Sequence, residues 1–164
     1  MRVLHHIQLL VVGTAACAVL SCSPPIPDDA PDEIEAVRSY GGVVDGDTIR
    51  TYSGQLIRLV GIDAPEVSGP YTSLEKGGKE ATSFARSFLD GSDVVYLAFD
   101  HKRYGDHGRL LAYVYREKDY RMLNRAMVKA GRAEAYHKYS YRRKPEFLQL
   151  EEQARSAGQG IWKD

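Results

Sequence analysis

The chain has 164 residues, 43% of them hydrophobic, with no long low-complexity tract or internal repeat. That allows one packed domain with a short appendage and excludes a largely disordered chain. Its 22 Lys and Arg balance 22 Asp and Glu, so net charge alone argues against a nucleic-acid partner. The balance is uneven, however. Asp28, Asp29, Asp32, Glu33 and Glu35 crowd one short stretch, which leaves the remainder mildly basic, with clusters at Lys102-Arg103 and Arg142-Arg143-Lys144. Such a field permits phosphate binding; for either cluster taken alone, solvated surface charge is an equal reading.

Residues 1–22 read as an export signal. Arg2 is a thin positive start, and Ile7 to Leu20 is apolar apart from Gln8, Gly13 and Thr14. A membrane-spanning helix needs about 20 apolar residues, so this stretch is too short to span comfortably. Its end, Val19-Leu20-Ser21-Cys22, is similar to a bacterial lipobox, which makes Cys22 the expected lipidation site; plain cleavage near Ala18 or Ser21 is the alternative. Both cysteines, Cys17 and Cys22, fall in this leader, so a domain exported without disulfides must be held by its core. Residues 23–36 contain four prolines and the five acids, a composition expected to be extended and self-repelling, as in a tether.

The domain is expected over residues 37–164. Val37–Asp45, Thr48–Tyr52 and Gln55–Val60 read as strands separated by Gly-containing turns. Val67–Gly78 lacks apolar periodicity and reads as a mobile loop. Lys79–Leu89 places Ala81, Phe84, Ala85, Phe88 and Leu89 at helical spacing. Asp93–Phe99 and Leu110–Tyr115 follow as strands. Met122–Ala130 reads as a helix stopped by Gly131. A last helix is opened by Pro145 and closed by Gly158, with Ile161 and Trp162 packing back. Five short strands with about three helices suit a small α+β domain, one option being a five-stranded barrel of the OB type.

Three motifs carry the chemistry. They are Asp45-Gly46-Asp47-Thr48, Arg58-Leu59-Val60-Gly61-Ile62-Asp63-Ala64-Pro65-Glu66, and Gly108-Arg109-Leu110-Leu111. Alone, the first is an ordinary hairpin turn and the second a strand-end turn. Together they place paired carboxylates at strand ends, where oxygen ligands can hold a hard cation. Arg58, between Ile57 and Leu59, points away from the apolar face. Two arginines can fork onto phosphate oxygens. Metal, phosphate clamp and carboxylate base suffice to cut a phosphodiester.

In order and spacing, from about Tyr40 to Trp162, these motifs resemble the thermonuclease family of staphylococcal-nuclease-like domains. The resemblance implies the OB-type barrel. It implies that Asp47, Asp63 and the carbonyl of Ala64 ligate calcium and that Asp45 supports them from behind. It further implies that Arg58 and Arg109 clamp phosphate, that Glu66 sits by the attacking water, and that Tyr136 and Tyr139 pack near the bound nucleotide. Ahead of Gly108 the family often carries a basic residue and a tyrosine; here Asp106 and His107 stand there, with Lys102, Arg103 and Tyr104 upstream. His107 reads as an exposed loop residue.

The resulting expectation is an exported calcium-dependent endonuclease. It would act on DNA and RNA with low sequence specificity and leave 3′-phosphate ends. It is expected to be a monomer, anchored by lipid at the membrane, with an outer-membrane address suggested by Ser23 after Cys22; periplasmic or secreted protein is the alternative. A non-catalytic OB module binding nucleic acid or protein is the rival reading, and keeping Asp47, Asp63, Glu66, Arg58 and Arg109 together argues against it.

Overall fold

The computed structural model describes residue 26, residues 31–67 and residues 75–163. The predicted leader with Cys22, most of the Pro-rich stretch and residues 68–74 of the expected mobile loop lie outside the described residues.

Five strands close into a barrel: β1 (Ala36–Val43), β2 (Thr48–Thr51), β3 (Leu56–Leu59), β5 (Val94–Ala98) and β6 (Leu110–Arg116), in spatial order β1-β2-β3-β6-β5. All neighbours run antiparallel except β3 and β6, which pair in parallel with Arg58 opposite Leu111. A two-stranded ribbon of β4 (Ile62–Asp63) and β7 (Glu134–Ala135) lies beside the barrel. Three helices complete the body: α1 (Gly78–Leu89), α2 (Leu123–Lys129) and α3 (Lys144–Ser156). This is the small α+β barrel expected from the sequence.

The elements follow from side-chain period. In β3, Ile57 and Leu59 are fully buried while Arg58 between them is only partly so, the alternation a one-sided strand requires. β5 and β6 are buried almost throughout, with α2 packed against β6. In α1, Ala81, Ala85, Phe88 and Leu89 form the inward stripe. Within the core the Tyr113 and Phe147 rings meet edge to face, 6.2 Å between centroids. Buried Asn124 ties the parallel seam. Its Oδ1 accepts the Val114 N–H at 2.9 Å, and its Nδ2 donates to the carbonyls of Val60 at 2.9 Å and Ala112 at 3.2 Å.

The body begins before Val37, within what the sequence assigns to the tether. Ile34 is only 7% exposed and belongs to the core. The Glu35 N–H donates to Leu97 O at 2.8 Å, and the Glu35 carboxylate pairs with Arg103 at 2.5 Å. Glu33 pairs with Arg143. Burial of one isoleucine and two ion pairs outweighs the self-repulsion read from the acid run. Ile161 and Trp162 pack back as expected: the Ile161 N–H donates to Gly131 O at 2.8 Å, and Arg155 lies over the Trp162 ring at 3.9 Å.

Candidate active site

The β1–β2 turn builds the first part of the site. The Asp45 carboxylate accepts the N–H of Asp47 at 3.0 Å, the short-range bond that makes aspartate a turn former. Gly46 is needed for packing: a Cβ there would lie 2.5 Å from the Ala64 Cβ and 2.9 Å from the Ala81 Cβ. The turn therefore sits directly against the 63–66 segment and against α1. Asp47 is 5% exposed. Its Oδ1 accepts the Thr48 hydroxyl at 3.1 Å and its Oδ2 accepts the Ala64 N–H at 3.0 Å.

β3 places Arg58 across from Thr48. Its guanidinium bridges two carboxylates, with one nitrogen on Asp47 Oδ2 and the other 2.9 Å from Asp63 Oδ1. The Arg58 side chain is 17% exposed and that of Asp63 57% exposed. Burial pulls the Arg58 guanidinium below the usual arginine value, while the Asp63 and Asp45 carboxylates oppose this. Burial raises the Asp45 carboxyl, against the pull of Thr48, Arg58 and Arg109. The two carboxylates expected to bind metal thus already face one shared positive group. Their donors are hard oxygens, which suits a hard cation, and Ala64 follows Asp63 directly. Among the described residues no three His, Cys, Asp or Glu side chains converge as a metal cluster; the expected set uses only two side chains and a backbone carbonyl.

Glu66 lies at the exposed end of the same segment. Its N–H donates to Glu75 Oε2 at 3.0 Å and its carbonyl accepts the Glu75 N–H at 3.0 Å. Gly78 allows this closure, since a Cβ would lie 2.4 Å from Glu66 O. Partial burial and then the Asp45 charge raise the Glu66 carboxyl, with Glu75 and Asp63 adding and Arg58 opposing. It therefore shares the electrostatic field of Asp45, Asp63 and Arg58.

Arg109 enters from the loop before β6. Its Nε is buried without a hydrogen-bond partner, and no ion pair engages its guanidinium among the described residues. Arg58 and Arg109 line one cleft of about 340 Å³ together with Tyr136 and Tyr139. The two tyrosine rings lie 4.4 Å apart at 35°, and the Tyr136 N–H is held by Gly61 O at 2.9 Å. The structure thus brings Asp45, Asp47, Asp63, Ala64 and Arg58 into one hydrogen-bonded cluster and places Arg58, Arg109, Tyr136 and Tyr139 around one cleft. Asp47, Asp63 and Glu66 do not line that cleft; Arg58 connects the two groups. Cys22 lies outside the described residues.

Sequence reasoning did not find three supports of the site. Asp100, after β5, accepts the Tyr113 hydroxyl at 2.5 Å and the Arg142 N–H at 2.7 Å, fixing the segment that carries the tyrosines. Lys144 Nζ donates to the carbonyls of His137 at 2.7 Å and Tyr139 at 3.0 Å. Glu75 closes the turn of Glu66. Each acts on backbone groups outside any regular element period, Asp100 on one far along the sequence; an acid directly after the apolar run 94–99 was the one available signal.

Residues 56–164 match the family model described as "Staphylococcal nuclease homologue". The chain belongs to the staphylococcal nuclease family. It is 34% identical over 124 residues to the "Thermonuclease" of Staphylococcus hyicus, covering 73% of this chain and 72% of that protein. It is 36% identical over 125 residues to an "Uncharacterized endonuclease" of Escherichia coli O157:H7, covering 74% of each. The family match contains Arg58, Asp63, Glu66, Arg109, Tyr136 and Tyr139; Asp45 and Asp47 precede it, joined to it by the contacts of Arg58 and Ala64.

Proposed function

We propose that this member of the staphylococcal nuclease family is a calcium-dependent endonuclease that hydrolyses phosphodiesters of DNA and RNA with low sequence specificity. The observation that carries this reading is Arg58, held between Asp47 and Asp63 on one side and opening with Arg109 onto the tyrosine-lined cleft on the other. The relatives' names, thermonuclease and endonuclease, support it.

Asp47, Asp63 and the carbonyl of Ala64 would hold the calcium, with Asp45 fixing the turn behind them. Bound there, calcium supplies charge neutralisation of the phosphate and polarisation of its oxygen. The Arg109 side chain, without a hydrogen-bond or ion-pair partner among the described residues, can fork onto phosphoryl oxygens, and Arg58 reaches them from the same cleft wall. Both stabilise the charge that builds in the transition state more than that of the substrate. Glu66, its carboxyl raised above the ordinary glutamate value by partial burial and the Asp45 charge, takes the proton of the attacking water. The 5′-oxygen leaves and a 3′-phosphate end remains. Tyr136 and Tyr139 stack on bases through faces that every base offers, which accounts for low sequence preference.

Purified protein incubated with plasmid, single-stranded DNA and RNA, in calcium or in chelator, tests this directly. Binding without cleavage in calcium would instead establish a non-catalytic module. We further propose that residues 1–22 direct export and that Cys22 carries lipid, placing a monomeric enzyme at the cell envelope by its N-terminal anchor. Each buried methylene contributes about 0.8 kcal/mol, so two or more chains anchor stably. Full-length protein should fractionate with membranes, and Cys22→Ala should release it or block maturation; soluble wild-type protein cleaved elsewhere would leave plain secretion.

A further inference from the structure

The turn before β6 delivers two side chains of opposite sign to one place. Gly105 and Arg109 close it, the Gly105 N–H donating to Arg109 O at 2.9 Å. Inside it His107 (φ 62°) and Gly108 (φ 71°) are both left-handed, which reverses the chain; Arg109 resumes extended backbone at φ −69°, ψ 135°. The result is that Asp106 and Arg109 both line the cleft while His107 does not. The Asp106 carboxylate makes no hydrogen bond or ion pair among the described residues. It shares the cleft wall with the cations Arg58, Arg109 and Lys102 and with the Asp100 carboxylate, which the Tyr113 hydroxyl and the Arg142 N–H already engage. Its charge reaches the tyrosine platform: the Tyr139 hydroxyl is pushed up first by its Tyr136 hydrogen bond and by burial, then lowered by Arg58 and raised by Asp106.

An unpaired acid in a cleft that receives phosphate discriminates by ligand charge. A phosphodiester carries one negative charge, whereas a terminal phosphomonoester carries close to two above pH about 6. Like charges held close together disfavour the more highly charged ligand, and such repulsion is a standard source of specificity. We propose that Asp106 is a specificity-determining residue that offsets the pull of Arg58, Arg109 and Lys102 on a terminal phosphomonoester and so shifts the preference of the cleft toward a phosphodiester within a chain. The inference rests on the reading of the cleft as the nucleic-acid site. Internal cuts are thereby favoured over attack at phosphorylated ends, and phosphorylated ends formed by cutting leave readily.

The test compares two ligands that differ by one charge. The full chain, in chelator at pH 8, is titrated with deoxyadenosine 5′-phosphate and with its monomethyl phosphate ester, following tyrosine fluorescence or NMR shifts. The affinity of the monoester relative to the ester should rise about 5-fold in Asp106→Asn, the scale of removing one like charge at short range in a wet site, and stay near the wild-type value in Asp106→Glu. An unchanged ratio in Asp106→Asn, or one that rises as much in Asp106→Glu, overturns the role of Asp106. Binding of neither ligand to wild type overturns this inference, whereas the nucleic-acid reading of the cleft stands or falls separately on cleavage in calcium.

Discussion

Replacing Arg58 by Met keeps the alkyl stem and removes the charge that bridges Asp47 and Asp63. The Asp63 leg is half-exposed, so its loss costs about 1 kcal/mol or less. The Asp47 leg is different: that carboxylate is 5% exposed and would keep only the Thr48 hydroxyl and the Ala64 N–H. Stripping one partner from a buried pair costs about 3–5 kcal/mol when burial is complete; with Arg58 17% exposed, about 2 kcal/mol is reasonable here. The sum, about 3 kcal/mol, lowers the melting temperature by roughly 10 °C for a domain of this size. Calcium should then act more strongly on the variant than on wild type, because the guanidinium no longer competes for the same oxygens. At a calcium concentration about 100 times its dissociation constant the gain is about 2.7 kcal/mol, nearly enough to restore the loss. Scanning calorimetry of both proteins in chelator and in calcium measures all four values. If the melting temperature of Arg58→Met is unchanged in chelator, or calcium raises it by less than in wild type, Asp47 and Asp63 are not shared between guanidinium and cation.

Arg109→Lys should reduce kcat by about 100-fold or more, the scale of losing a strong charge-stabilising donor. Its melting temperature should barely move because Arg109 makes no ion pair among the described residues; wild-type turnover would assign Arg109 to the surface. Glu66→Gln should fold normally and bind calcium but cut slowly, since the amide cannot accept the proton; an active variant removes Glu66 from the mechanism, and an unfolded one makes it structural. Gly46→Ala must separate the turn from Ala64 and Ala81. It should lose about 1–3 kcal/mol by overpacking and activity with it, as urea melts and plasmid assays would register. Burial alone would raise the Asp100 carboxyl, but the Tyr113 hydroxyl and the N–H groups of Arg142 and His101 outweigh it and hold it below the usual range. Such a depressed acid stabilises the fold above the ordinary aspartate value and loses that contribution as pH falls below about 4. Asp100→Asn should therefore be less stable at neutral pH and flatter below pH about 4 in acid unfolding monitored by circular dichroism; an unchanged slope refutes the assignment.

The strands and helices were legible because their signals are local and periodic. Ile57 and Leu59 alternate with Arg58, the α1 stripe recurs every three to four residues, and Gly131 and Gly158 stop α2 and α3. The Asp47, Arg58 and Asp63 cluster was legible as separate motifs, although not the guanidinium bridge between the two acids. β4 and β7 were missed because two residues each leave no period to detect. Asn124 and Asp100 were missed because one buried side chain bonding to remote groups leaves no pattern along the sequence, and Lys144 because a lone lysine capping the carbonyls of a preceding loop leaves none either. The docking of Ile34 was hidden by its acidic neighbours, whose partners Arg143 and Arg103 lie in the later half of the chain.

The parallel seam between β3 and β6 has a kinetic consequence. Two barrel pairings join strands distant in sequence, β1 with β5 and β3 with β6, and of these only β3–β6 is parallel. Non-local parallel pairing is slow to form, because loop closure precedes its reward. Arg58 lies on one side of that seam and Arg109 immediately before the other. The two arginines can meet only once the barrel has closed. A partly folded chain, even with the β1–β2–β3 meander formed, would have carboxylates and one arginine but no clamp, so the onset of activity on refolding reports closure of this seam.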